Sequence, residues 1–202
     1  FFKVMIFVEM KHAANKLTEK LQSVGISAAA IHSDKSQGAR QRALEDFKQD
    51  KVRVLVATDI AARGIDVDGI THVINYDLSH MTESYIHRIG RTARAGAEGI
   101  AISFCDGNEK SYLFAVEKET KQKIEIIKTQ PYHSMIAENA PVLPPSKVKA
   151  ILEAQRIANK MANRRGGAKG GGGPGRSGGG AGAGRSYGPK KSGGGGRFSK
   201  KR

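Results

Sequence analysis

The chain has 202 residues and a formal charge of +15, from 34 Lys and Arg against 19 Asp and Glu. The excess is one-sided: residues 1–140 hold 19 basic and 18 acidic side chains, residues 141–202 hold 15 basic and one acidic (Glu153), and 17 of the 25 glycines lie within 166–196. This describes a nearly neutral globular domain with a cationic tail; the lone Cys105 excludes an internal disulfide or a Cys-rich zinc site, and no apolar run approaches the ~20 residues that cross a bilayer.

Phe1–Val8 (FFKVMIFV) is too short for a signal-peptide core and lacks a basic leader, so Val4–Val8 reads as a buried strand. With no initiator Met and a start almost inside that strand, we expect a piece of a longer protein. His12–Val24 follows with Ala13, Ala14, Leu17, Leu21 and Val24 at helical spacing, and Gly25 stands where a C-cap would. Ser27–Ile31 predicts a strand, then Ser36–Gln49 a helix with Ser36 as N-cap. Val52–Ala57 (VRVLVA) is the clearest strand, followed by a short turn. Strand Thr71–Tyr76, helix Thr82–Ala93, strand Gly99–Phe104, helix Glu109–Thr120 and a last short strand Glu125–Lys128 complete the domain.

Strands separated by helices of 10–15 residues signal right-handed crossovers, so the expected fold is α/β, a parallel sheet with helices on both faces. Three segments follow from the pattern: a domain over 1–130, a Pro-containing linker and helix over 131–164 (Ser146–Asn163 being the helix), and a disordered Gly/Arg/Lys-rich tail over 165–202. Ligands of such sheets gather beyond the carboxyl ends of the strands. Those ends carry Glu9, His32-Ser33-Asp34, Thr58-Asp59 and Asp77.

Three segments carry candidate chemistry. In Tyr85–Gly96 (YIHRIGRTARAG), His87, Arg91 and Arg94 share one side of the expected helix, while Tyr85, Ile86, Ile89 and Ala93 would pack on the sheet. Paired guanidiniums suit a polyphosphate, because their forks bind phosphate oxygens and stabilise charge on a transferring phosphoryl group. A solvated basic face is the plain alternative. In Val54–Val67 (VLVATDIAARGIDV), Thr58 can donate to a nucleic-acid phosphate, Gly64 permits close backbone approach and Asp66 can accept from a ribose hydroxyl. Alternatively Asp59 caps the following turn and Asp66 pairs with Arg63. In His32–Arg42 (HSDKSQGARQR), Gln37 and Arg40 lie one turn apart at a helix start, a place that favours phosphate. No metal-ligand spacing is present.

Taken together and in this order, FVEMKHAANKL, HSDKSQGARQRALEDF, VLVATDIAARGIDV and HRIGRTARAG resemble motifs IV, IVa, V and VI of the C-terminal RecA-like domain of DEAD-box ATP-dependent RNA helicases. The resemblance covers about residues 1–130, and its wording and basic tail are closest to the bacterial RhlE type. It implies that Gln37, Arg40 and Thr58 hold the RNA backbone and that Gly64 and Asp66 approach ATP. It further implies that Arg91 and Arg94 are arginine fingers in catalysis, and that His87 and Arg63 couple to the partner domain, with His87 counted among the catalytic groups. Mg2+ would be held mainly by a missing N-terminal RecA-like domain. RNA would be the partner, ribosomal or RNA-decay assemblies the wider setting, and the cytoplasm the location. Ser33 stands where the family usually has Gly, and Ala93 where Gly is more frequent. No G-x-x-x-x-G-K-[ST], D-E-A-D or S-A-T occurs, so the 202 residues should not hydrolyse ATP alone.

The alternative is a nonspecific RNA-binding or annealing module acting through the tail, which carries Tyr187 and Phe198 for stacking. On that reading, truncation after Arg164 removes most RNA affinity and flattens its salt dependence in a titration across ionic strength. A truncated chain that keeps both discards it.

Overall fold

A computed structural model describes residues 2–94 and 98–166. The chain divides into one unit over Phe1–Ala158 and a second over Asn159–Arg202. Of the second, the described part is 159–166, the end of the last helix, and the expected disordered tail otherwise lies outside the described residues.

Five strands, β1 (Val4–Phe7), β2 (Ala28–Ile31), β3 (Val54–Ala57), β4 (His72–Asn75) and β5 (Ile100–Ser103), form one sheet in the order β2-β3-β1-β4-β5, and every pairing is parallel. Every residue of β1 and β3 is buried. Their period of two splits the core between the faces. Met5, Phe7, Leu55, Ala57 and Val73 point to one cluster, completed by Phe47, Ala61 and Ala62; Val4, Ile6, Val8, Val54 and Val56 point to the other, against Ala14. Helix α1 (Lys11–Ser23) covers the second face, and α2 (Gln37–Lys48) with the four-residue α3 (Asp59–Ala62) covers the first. Gly25, with φ +81°, lies just beyond α1, and the Ser36 hydroxyl accepts from the Ala39 N–H at 3.3 Å to start α2, a cap worth about 1 kcal/mol.

A third cluster of Leu78, Tyr85, Tyr112, Val116 and Val148 joins α4 (Thr82–Ile89), α5 (Lys110–Thr120) and the start of α7 (Pro145–Gly166). Between the last two lies α6 (Met135–Asn139), which the sequence pattern does not reveal. Ser134 caps it by accepting from the Ala137 N–H, and the Lys110 ammonium donates to the Glu138 and Ala140 carbonyls at its other end, both at 2.7 Å. Residues 131–164 thus include two helices, and Val148 is fully buried.

Two expectations are corrected. The helix expected over Thr82–Ala93 ends at Ile89, with Gly90 as its C-cap. Arg91 and Thr92 then donate to the Arg88 and Ile89 carbonyls, tightening the chain into a turn, and Ala93 takes φ +55°. The strand expected over Glu125–Lys128 is not a strand either. Ile124 donates its N–H to the Glu117 carboxylate rather than to a neighbouring strand, and the consecutive Ile126 and Ile127 are 57% and 59% exposed, so no single face is buried.

Glu109 ties the ends of β4 and β5 together. Its carboxylate accepts the Leu78 N–H at 3.2 Å and the Asp106 N–H at 2.9 Å. Burial first, and then the Asp77 and Asp106 charges, push its pKa up to about 7, against the two N–H bonds that lower it. A raised carboxyl contributes stability below its unfolded value, and that contribution is lost as pH rises through the folded value. The stability advantage of the parent chain over Glu109→Gln should therefore shrink by up to about 3 kcal/mol between pH 5 and pH 8. Thermal melts of both proteins at the two pH values check this, and a pH-independent difference refutes the assignment.

Candidate functional site

The carboxyl ends of β3, β1 and β4 meet around one guanidinium. Arg88, on the last turn of α4, is 2% exposed. Its Nε and Nη2 donate to the two Asp59 carboxylate oxygens at 2.6 and 2.8 Å, a bidentate fork. Its Nη1 donates to Asn75 Oδ1 at 3.2 Å and to the Asp77 carbonyl at 2.7 Å, and the guanidinium lies 5.2 Å from the Phe7 ring centroid. One side chain thus fastens α4 to the ends of three strands.

The turn after α4 delivers the paired arginines. Arg91 Nη1 donates to the Ile65 carbonyl at 2.7 Å, and Arg94 Nη1 meets Asp66 Oδ1 at 3.1 Å while its Nε donates to the Gly90 carbonyl at 2.9 Å. Burial and the Arg94 charge hold the Arg91 pKa below its ordinary value, and Asp66 opposes them. Both guanidiniums therefore reach the Ile65-Asp66 stretch after α3. Gly64 immediately before it has φ +75°, and a Cβ there would meet nothing within 4 Å. An open, side-chain-free backbone face beside two guanidiniums and an exposed carboxylate suits a phosphorylated ribose. Arg63, Ser84, His87 and Arg91 line a shallow cleft beside it, with Phe7, Asp59 and Arg88 also in its walls. Among the described residues no group of three His, Cys, Asp or Glu side chains is arranged to hold a metal ion.

The second set adjoins the first through α3. Thr58 is its N-cap residue, half-buried, and its hydroxyl makes no hydrogen bond among the described residues. Arg40, one turn into α2, donates from Nη1 to Gln37 Oε1 at 3.2 Å and from Nη2 to the Ala61 carbonyl at 3.5 Å, the limit of a hydrogen bond. The loop leading to α2 is held by His32, which is buried. Its Nδ1 accepts the Asp34 N–H at 3.3 Å, so the ring proton is assigned to Nε2, which donates to Asn15 Oδ1 at 3.0 Å. Burial and then the Lys35 charge lower its pKa and favour this neutral form. Lys11 pairs with Asp34 at 2.8 Å on the same loop.

Several sequence expectations change in detail. His87 is on α4, but Arg91 and Arg94 lie beyond the helix, so they do not share its face; the turn brings them to the Asp66 edge instead. Ile86 is 39% exposed and Ala93 is exposed, while Tyr85 is buried in the third cluster and Arg88 takes the inward position beside it. Asp66 pairs with Arg94 rather than Arg63, and Asp59 pairs with Arg88 rather than capping a turn. Sequence reasoning missed Arg88 altogether. Its signal was an arginine three residues after Tyr85 and one before Ile89, on the side of the helix that should be apolar.

A model of the helicase conserved C-terminal domain matches residues 2–96. The chain is 41% identical over 153 residues to the DEAD-box ATP-dependent RNA helicase CshA of Bacillus licheniformis, covering 76% of this chain and 31% of that protein. It is 44% identical over 135 residues to the ATP-dependent RNA helicase RhlB of Pseudomonas syringae, covering 67% and 34%. The chain spans between 22% and 34% of the length of these and other curated relatives it matches. Among solved structures, the E. coli DEAD-box protein SrmB, crystallised with the regulator of ribonuclease activity A, superposes with a TM-score of 0.62 at 34% identity, covering 70% of this chain and 82% of that one.

The two arginine–carboxylate pairs should differ sharply in energetic weight. Removing Arg88 strands Asp59 and the buried Asn75, so Arg88→Ala should cost about 3 kcal/mol. Arg94→Ala removes a solvent-exposed pair and should cost less than about 1 kcal/mol. Urea denaturation of the two variants measures both, and equal losses would show that the fork carries no structural weight.

Proposed function

Because this chain belongs to the helicase C-terminal domain family of DEAD-box proteins, we propose that it serves as the C-terminal RecA-like half of an ATP-dependent RNA helicase that unwinds or remodels short duplexes. The observation that carries the reading is the convergence of Arg91 and Arg94 on the Gly64–Asp66 edge, beside a cleft lined by Arg63 and His87. The triphosphate is the substrate and supplies the phosphoryl group whose transfer drives the cycle. Here Asp66 receives a ribose hydroxyl once Arg94 leaves it, and the Gly64 backbone allows the close approach. Arg91 and Arg94 stabilise charge on the γ-phosphate as arginine fingers. Arg63 and His87 face the domain that completes the site. Mg2+ would be held mainly by that domain, which would also orient the attacking water; no G-x-x-x-x-G-K-[ST] or D-E-A-D sequence occurs in these 202 residues.

Gln37, Arg40 and Thr58 grip the RNA sugar–phosphate backbone, which carries no base identity, so binding is sequence-independent. What supports this is an unengaged Thr58 hydroxyl next to the first turn of α2 with its Gln37–Arg40 pair. In our reading the domain proper covers 1–130, residues 131–164 lead from it, and the basic segment 165–202 tethers RNA and raises its local concentration. The segments HSDKSQGAR and VRVLVATDIAARGIDV with the glycine-rich basic end favour the RhlE type within the family. A cytoplasmic setting fits the single Cys105, and ribosomal or RNA-decay assemblies are the proposed context.

Fusing the N-terminal RecA-like domain of CshA to this chain should yield RNA-stimulated ATPase activity. In that fusion Arg91→Ala and Arg94→Ala should each lower turnover by about 10³-fold. Unchanged turnover in both variants would remove the finger assignment.

A further inference from the structure

We infer that the end of α5 carries a second site for single-stranded RNA, in which Phe114 stacks a base and Lys118, Lys121 and Lys123 take the flanking phosphates. The observation is a cleft of about 240 Å³ lined by Phe114, Glu117, Lys118, Lys121, Gln122 and Lys123. It lies at the end of α5 opposite the one that follows β5, and a helix of 11 residues is about 16 Å long. The cleft is therefore apart from the arginine edge, and the inference stands whether or not Arg91 and Arg94 act as fingers.

The return of the chain builds the cleft. Lys121, the C-cap of α5, takes φ +54°, a left-handed conformation that glycine enters more readily. Residues 122–124 then come back alongside the helix, where Glu117 fastens them: its carboxylate accepts from the Lys123 ammonium at 2.8 Å and from the Ile124 N–H at 3.1 Å. The Lys123 bond first, and then the Ile124 bond, hold the Glu117 pKa below its ordinary value, and its side chain is only 10% exposed. The one acidic group of the cleft is thus already answered, and Glu119 and Glu125 do not line it. Lys118 and Lys121 are exposed and make no hydrogen bond or ion pair among the described residues.

Two unanswered ammoniums therefore stand beside a phenylalanine ring that is 44% exposed. The Lys123 ammonium lies 5.9 Å from the ring centroid, at the outer limit of a cation–π contact, so a base can take its place on the ring. An exposed ring flanked by lysines suits a single strand, because the ring stacks any base and point-charge ammoniums take phosphates without reading sequence. An acidic peptide would satisfy the lysines and leave the ring unused.

The test is a titration of the full chain, labelled with nitrogen-15, by a short oligouridylate. The amide signals of residues 114–124 report the cleft separately from the basic tail, and the same spectra show that each variant is folded. These signals should shift saturably in the parent chain. Lys118→Gln combined with Lys121→Gln should weaken the local Kd about ten-fold at about 0.1 M salt and lower the slope of log Kd on log salt by about 1.4, the share of two phosphates on a single strand. Phe114→Leu should weaken the Kd by about five-fold or more and leave the slope unchanged, because stacking releases no counterions. Absence of a saturable shift in the parent chain, or a parental Kd in either variant, overturns the inference. So does an oligoglutamate that shifts the same signals with a Kd indifferent to Phe114→Leu, a result that would give the cleft to an acidic protein segment.

Discussion

A guanidinium in the interior of a protein is expensive unless every face of it is answered, and the arrangement of the carboxyl edge follows from how Arg88 is answered. Asp59 comes from the end of β3, Asn75 from β4, the Asp77 carbonyl from the chain beyond it and the Phe7 ring from β1. Such a pair adds little net stability over apolar packing of the same volume. What it supplies is direction: a fork admits one orientation of the carboxylate, so α3 and α4 can meet in one way. The sheet itself would form without it, because the alternating apolar residues of β1 and β3 already fill both faces.

The chemistry of the edge is divided along the sheet. Around β2, β3 and the turn after α4 stand Lys11, Lys35, Arg40, Arg63, Arg91 and Arg94, interleaved with Asp34, Asp59 and Asp66, which pair with Lys11, Arg88 and Arg94. Around the ends of β4 and β5 stand Asp77, Asp106 and Glu109, whose mutual repulsion contributes to the raised Glu109 carboxyl.

Much of this was legible in the residues. Apolar runs such as VMIF and VLVA announced the strands, and Ser36 announced the start of α2. What escaped was decided by tertiary context. Arg88 looked like one more basic residue because its partners lie 11 to 29 positions away. The end of α4 depended on Gly90 together with Thr92, whose hydroxyl reaches the Ile70 carbonyl across the core. Helix α6 was hidden between Pro131 and Pro141, and the apparent strand around Ile126 leaves both consecutive isoleucines exposed, just after Ile124 gives its N–H to a glutamate.

Ala93 carries a methyl group at φ +55°, a conformation that disfavours any side chain by about 1 kcal/mol and that glycine enters freely. The backbone there is consequently held by its neighbours' grips and not by its own inclination. Glycine at the same place would need no such restraint, so the methyl group makes the turn depend on the Thr92 and Arg94 contacts on either side of it.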